Sequence, residues 1–162
     1  MNQPNEIITY SIPLNFQEFN ENLTINTNTS FTGSKEEIII QAFKFHLEGN
    51  IQEAVKYYQY FINQGFNDYR VFSNYGLILK SYGNLDEAEL FLRKSININP
   101  YLPEIHSNLG NILRDLGKSN EAEQSYRKAI ELDPDYAKAH SNLGNILSDL
   151  GKQYEAEQSY RK

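Results

Sequence analysis

The chain has 162 residues, no cysteine and a formal net charge of −6 at neutral pH. The absence of cysteine excludes disulfides, thiol nucleophiles and cysteine-based metal sites, and the acidic balance argues against nucleic acid as the main ligand. Apolar runs such as Ile38–Ile40 are far too short to span a membrane, and the N-terminus, with no Lys or Arg before Lys35, lacks the pattern of a secretory signal. These features predict a cytoplasmic protein.

Residues 1–34 are assigned to a polar, disordered leader. The stretch is rich in Asn and Thr, carries acids but no bases before Lys35, and shows neither helical nor alternating periodicity. Its scattered apolar residues, Ile7, Ile8, Tyr10, Ile12, Leu14, Phe16 and Phe19, allow a second reading as a segment that packs on the rest of the chain or binds a partner. Sequons at Asn22 and Asn28 read as accidental in a chain with no export signal.

Order is expected from Ser34, where Ser34–Lys–Glu–Glu37 forms a capping box. The Gly and Pro stops then divide the chain into helices near 35–48, 51–63, 69–82, 85–98, 103–116, 119–132 and 137–150, with a shorter eighth from Gln153. Asn50 and Asn84 are expected to cap the helices that they precede. Pro103 suits the first turn of its helix, and Pro100 and Pro134 close the helices before them.

The segment from His106 to Lys118 returns almost unchanged 34 residues later, from His140 to Lys152, and a looser copy begins at Phe72. Residues 103–128 and 137–162 are identical at 20 of 26 positions. A period near 34 predicts an array of helix pairs, with repeats at 35–68, 69–102, 103–136 and a truncated 137–162. Each pair is too small to bury its own apolar faces, so neighbours must stack. Gly110 and Gly144 fall mid-helix, where Gly costs about 1 kcal/mol relative to Ala, which makes sense if another helix approaches closely. The truncated repeat suggests that the array continues, and it leaves Tyr154, Ala156 and Tyr160 without a covering neighbour. The expected consequence is fraying after about Gln158 or self-association through this end.

Leu109–Gly110, Leu113, Gly117, Ala122, Tyr126, Ala129 and Pro134 resemble the signature of the tetratricopeptide repeat, with His106, His140 and Phe72 at its usual Trp position. The third and fourth repeats are similar to those that precede the catalytic domain of O-linked N-acetylglucosamine transferases. The resemblance implies an all-α fold, a right-handed superhelix of antiparallel helix pairs. Its first helices would line a concave groove that binds an extended peptide or another helix.

On the face opposite the apolar stripe, the third repeat carries Ser107, Asn108, Asn111 and Asp115, the fourth carries Ser141, Asn142, Asn145 and Asp149, and the second carries Ser73 and Asn74. Asn is a mediocre helix former, so Asn74, Asn108 and Asn142 in register call for a reason. An amide both donates and accepts, so such a ladder could hold a peptide backbone whatever its sequence, as the transferase-type repeats do. The alternative is a solvated face copied by duplication. The chaperone-type carboxylate clamp is absent, because Ile39, Phe43 and Glu104 occupy its positions and only Asn74 matches. His106 and His140, one repeat apart, read as helix contacts and not as a metal pair. Glu53, Glu87, Glu121 and Glu155 recur at helix starts, where they suit caps and the helix dipole.

No nucleophile–base pair, phosphate loop or cofactor motif is evident. The expected function is therefore a non-enzymatic scaffold for a protein or peptide partner, with no cofactor, nucleic acid or membrane. The alternative is the substrate-presenting arm of a longer transferase whose catalytic domain lies beyond residue 162.

Overall fold

The structure, a computed structural model, describes residues 34–162; the leader assignment lies outside the described residues except at Ser34. Eight helices succeed one another: α1 (Lys35–Leu47), α2 (Ile51–Asn63), α3 (Tyr69–Ser81), α4 (Leu85–Ile98), α5 (Pro103–Asp115), α6 (Ser119–Leu132), α7 (Ala137–Asp149) and α8 (Gln153–Tyr160). No strand occurs among the described residues, and no helix among them is long and apolar enough to cross a membrane. The expected helices are all present, with ends shifted by at most about one residue, as usual where helices fray.

The local chemistry explains the boundaries. At the start of α1 the Ser34 side chain accepts from the Glu37 amide, and the Ser34 amide donates to Glu37 Oε2 at 2.7 Å. Asn50 caps α2 by accepting from the Glu53 amide. Asn84 corrects the expectation, because its side chain makes no capping bond. Its backbone amide instead closes the previous helix, donating to the Leu79 carbonyl at 3.0 Å. Lys118 and Lys152 do the same to Leu113 and Leu147, each at 2.8 Å. The turn is thus set by backbone bonds around a left-handed glycine, Gly117 at φ 74° for example, and tolerates Lys at the cap position.

Helices pack in sequence, α1 on α2, α3 on α4, α5 on α6 and α7 on α8, with α4 on α5 and α6 on α7 joining successive pairs. First helices also touch across repeats, α3 with α5 and α5 with α7, whereas second helices make no comparable contact. First helices therefore form the inner side of the stack. The core changes along it. The first two pairs bury aromatic rings, Tyr58 against Phe43 and Tyr75, with Phe91 against Tyr75. The later pairs bury Ile105, Ile112, Leu113, Ile146 and Leu147, with Tyr126 as the large ring.

Gly110 and Gly144 are the expected points of close approach. A Cβ on Gly110 would lie 2.5–2.9 Å from Tyr126 ring atoms, and one on Gly144 would press equally on Tyr160. Tyr126 is fully buried, whereas Tyr160 is half exposed. Ala156 has no described repeat after it, yet it is buried, because α7 covers that side of α8.

Candidate functional site

Burial sorts the expected inner-face residues into two groups. Ser107 and Asn108 are buried, at 0% and 4% exposure, which corrects their assignment to an accessible groove. Ser107 lies against the Tyr136 phenol at the start of α7, so the next repeat covers it. Ser73 is fully buried too, whereas Ser141, with no described repeat over it, is exposed. The serines thus face along the stack and not into a groove.

Asn74 is half buried, with its side-chain oxygen enclosed and lacking a hydrogen-bond partner, so its amide nitrogen is the group that reaches the Tyr58 hydroxyl. Burial pushes the Tyr58 phenol far above its ordinary range, and that bond pulls it part of the way back. The same hydroxyl lies 3.0 Å from His46 Nδ1, within hydrogen-bond distance. Burial holds the His46 imidazole below its ordinary pKa.

In the later repeats the polar cluster is built around Asn111. Its Oδ1 accepts from the Tyr126 hydroxyl at 2.9 Å and from Asn142 Nδ2 at 3.1 Å, tying α6 and α7 to α5. Burial pushes the Tyr126 phenol up to about 12, so it remains a donor at neutral pH. One repeat on, Asn145 Oδ1 accepts from Tyr160 at 2.8 Å and is exposed to solvent. Asn111, Asn142 and Asn145 therefore come together on adjoining inner helices, half buried or exposed. Asn74, Asn108 and Asn142 do not form a uniform accessible ladder.

The two aspartates differ in their partners. Asp115 pairs with Lys80 Nζ at 3.1 Å, and Arg114 stands 3.6 Å away. Asp149 is exposed and makes no ion pair among the described residues. Ser148 replaces only the adjacent cation, Arg114 of the third repeat; the counterpart of Lys80 for Asp149 is Arg114 itself, which stands by Asp115.

Sequence reasoning missed a charge network between the second helices. Glu89 accepts from Arg93 at 2.8 Å and Lys118 at 2.7 Å, and Arg93 also reaches Glu121 at 2.7 Å. Glu123, Arg127, Lys152 and Glu155 repeat this pattern 34 residues later, at 2.6–2.9 Å. Glu121 and Glu155, expected to serve helix starts, therefore also bind the preceding repeat. Strict recurrence of all four charges at 34 residues was the available signal. His106 and His140 are buried helix contacts as expected, each Nε2 lying 2.8 Å from a proline carbonyl. Among the described residues no group of three His, Cys, Asp or Glu could hold a metal ion.

No curated protein sequence matches the chain. Solved structures do. The crystal structure of MamA superposes with a TM-score of 0.74 at 16% identity, covering 90% of this chain and 82% of that one. MamA 41-end from Desulfovibrio magneticus RS-1 gives 0.72 at 18% identity, over 79% and 72% of the two chains. MamA AMB-1 gives 0.71 at 20% identity, over 79% and 70%. At these identities the likeness concerns the fold. Family models described as tetratricopeptide repeat match residues 69–101 and 91–124, and one described as TPR repeat matches 110–151. With the all-helical stack and its 34-residue period, these matches place the chain among the tetratricopeptide-repeat proteins.

Proposed function

We propose that the chain is a protein-interaction scaffold whose inner face takes an extended peptide. Asn111, Asn142 and Asn145 hold the peptide backbone, and Asp149 selects a basic or hydroxyl side chain beside it. The observation that carries this reading is the cluster of three half-buried or exposed amides on α5 and α7, which leaves Asn111 Nδ2, Asn142 Oδ1 and Asn145 Nδ2 without a partner among the described residues, near an exposed Asp149 that makes no ion pair among them. The groups left over are two donors, on Asn111 and Asn145, and one acceptor, on Asn142, which can meet the carbonyls and an amide of a peptide backbone.

Selection of binders from a displayed library of extended peptides tests the reading. Asn142→Ala/Asn145→Ala should weaken the selected peptides while helicity is kept, at about 0.5–1.5 kcal/mol per lost hydrogen bond. Asp149→Asn should weaken most those peptides that carry Lys or Arg. Affinities unchanged in both variants would reject the proposal.

A further inference from the structure

Two clefts between the second helices are one site repeated. The first, roughly 340 Å³, lies among α4, α5 and α6, with Ile96, His106, Leu109, Leu113, Ser125 and Lys128 in its lining. The second, roughly 430 Å³, lies among α6, α7 and α8, with Ile130, His140, Leu143, Leu147, Ser159 and Lys162. Each residue of the second set stands 34 positions after its counterpart in the first. The floors are aliphatic. The imidazole walls are fixed, because a proline carbonyl only accepts and so places the proton on Nε2.

One repeat upstream the same position, among α2, α3 and α4, is filled by the chain's own rings. Phe72, Tyr75 and Phe91 stand where the third repeat has His106, Leu109 and Ser125. The Phe91 ring packs 5.8 Å from Phe72 and 5.0 Å from Tyr75 between centroids. Lys94, the counterpart of Lys128 and Lys162, sits 4.9 Å from the Phe91 centroid and 5.8 Å from that of Phe72. The second repeat thus displays the occupied form of the site. The later repeats keep the cation, replace the Phe91 ring with serine, and present His and Leu where Phe72 and Tyr75 stand.

We propose that the two clefts are sockets for two aromatic side chains of one partner polypeptide segment, each ring taking the place of Phe91 and meeting Lys128 or Lys162. Charge complementarity favours this occupant, because an ammonium is attracted to the negative face of an aromatic ring and gains nothing comparable from an aliphatic one. Lys128 now reaches Glu131 at 2.8 Å, a solvent-exposed pair of the kind that holds a side chain weakly and leaves it free to turn. Tyr154 adds an aromatic wall to the second socket. The sockets lie on the opposite side from the inner amides, so this inference stands or falls apart from the peptide groove.

The test is a titration of the full chain with N-acetyl-phenylalaninamide, monitored residue by residue by NMR. Shifts are expected at Leu109, Leu113 and Ser125 and at Leu143, Leu147 and Ser159. Ser125→Phe should fill the first socket and abolish its shifts while leaving those of the second. Lys128→Ala, a change at a half-exposed surface residue, should weaken first-socket binding about twofold to fivefold and serves if the Phe variant does not fold. N-acetyl-cyclohexylalaninamide, similar in shape but without a π face, should bind more weakly and be indifferent to Lys128→Ala. No shift at these residues up to the solubility of the probe, shifts that persist in folded Ser125→Phe, or equal binding of the cyclohexyl compound would overturn the proposal.

Discussion

Gly110 and Gly144 occupy equivalent positions under equivalent tyrosines, yet their surroundings differ. Tyr126 is fully buried, so a methyl group on Gly110 forces a packed ring to move, whereas Tyr160 is half exposed and can swing out. Overpacking typically costs about 1–3 kcal/mol, while Gly→Ala in a helix returns about 1 kcal/mol. Gly110→Ala should therefore destabilise by up to about 2 kcal/mol, and Gly144→Ala should be near neutral or mildly stabilising. Urea unfolding of the two variants checks this, and equal losses would show that the Tyr160 ring is as firmly held as Tyr126. Both close approaches were legible in the sequence, since a mid-helix glycine needs a reason. The fate of the asparagines was not. Helical spacing placed Asn108 and Asn111 on one side but left their depth open, and depth is set by the neighbouring repeat, which buries the first and leaves the second half exposed.

At the scale of helices, neighbouring pairs are joined either by apolar contact or by polar links, and the choice changes along the chain. Asn111 accepts from Tyr126 and Asn142, whereas the second repeat has Leu77 and a fully buried Leu92 at the positions of Asn111 and Tyr126. Asn111→Leu alone strands the Tyr126 hydroxyl and the Asn142 amide, and should cost about 1–3 kcal/mol. Adding Tyr126→Leu recreates the upstream pairing and should recover part of that loss. A double-mutant cycle in thermal unfolding measures the coupling, and strict additivity would mean that the Asn111 bonds contribute little.

The charge links carry their own signature. Burial pushes the Glu123 carboxyl up, but hydrogen bonds from Lys152 and Arg127 outweigh it and hold the group below its ordinary value of 4.5. A folded-state pKa below the unfolded one means that the contribution is present above about pH 4.5 and is lost as pH falls through the folded value. Thermal stability should therefore drop on acidification below pH 4.5, and Glu123→Gln should flatten that drop. An unchanged slope would show that other carboxylates govern it. These links escaped the sequence reading because acids near helix starts already had a local use. The partners that redirect Glu121 and Glu155 sit on the preceding repeat, 28 residues away.

For the whole molecule, the period of 34 was enough to read the eight helices, their order and their stacking from sequence, because each repeat must use its neighbours to bury its apolar stripe. What the period does not encode is how far each copy has drifted from the others. The same three positions hold Phe72, Tyr75 and Phe91 in one repeat and His106, Leu109 and Ser125 in the next, so one fold gives a filled cleft and then an open one. The central claim is that the inner face of the first helices holds the backbone of an extended peptide, apart from any ring bound in the outer sockets. The most direct measurement is hydrogen exchange on the full chain with and without a library-selected peptide. Slowed exchange confined to α5 and α7, and lost in Asn142→Ala/Asn145→Ala, is the predicted result; slowing confined to α4, α6 and α8, with the inner helices unchanged, would contradict it.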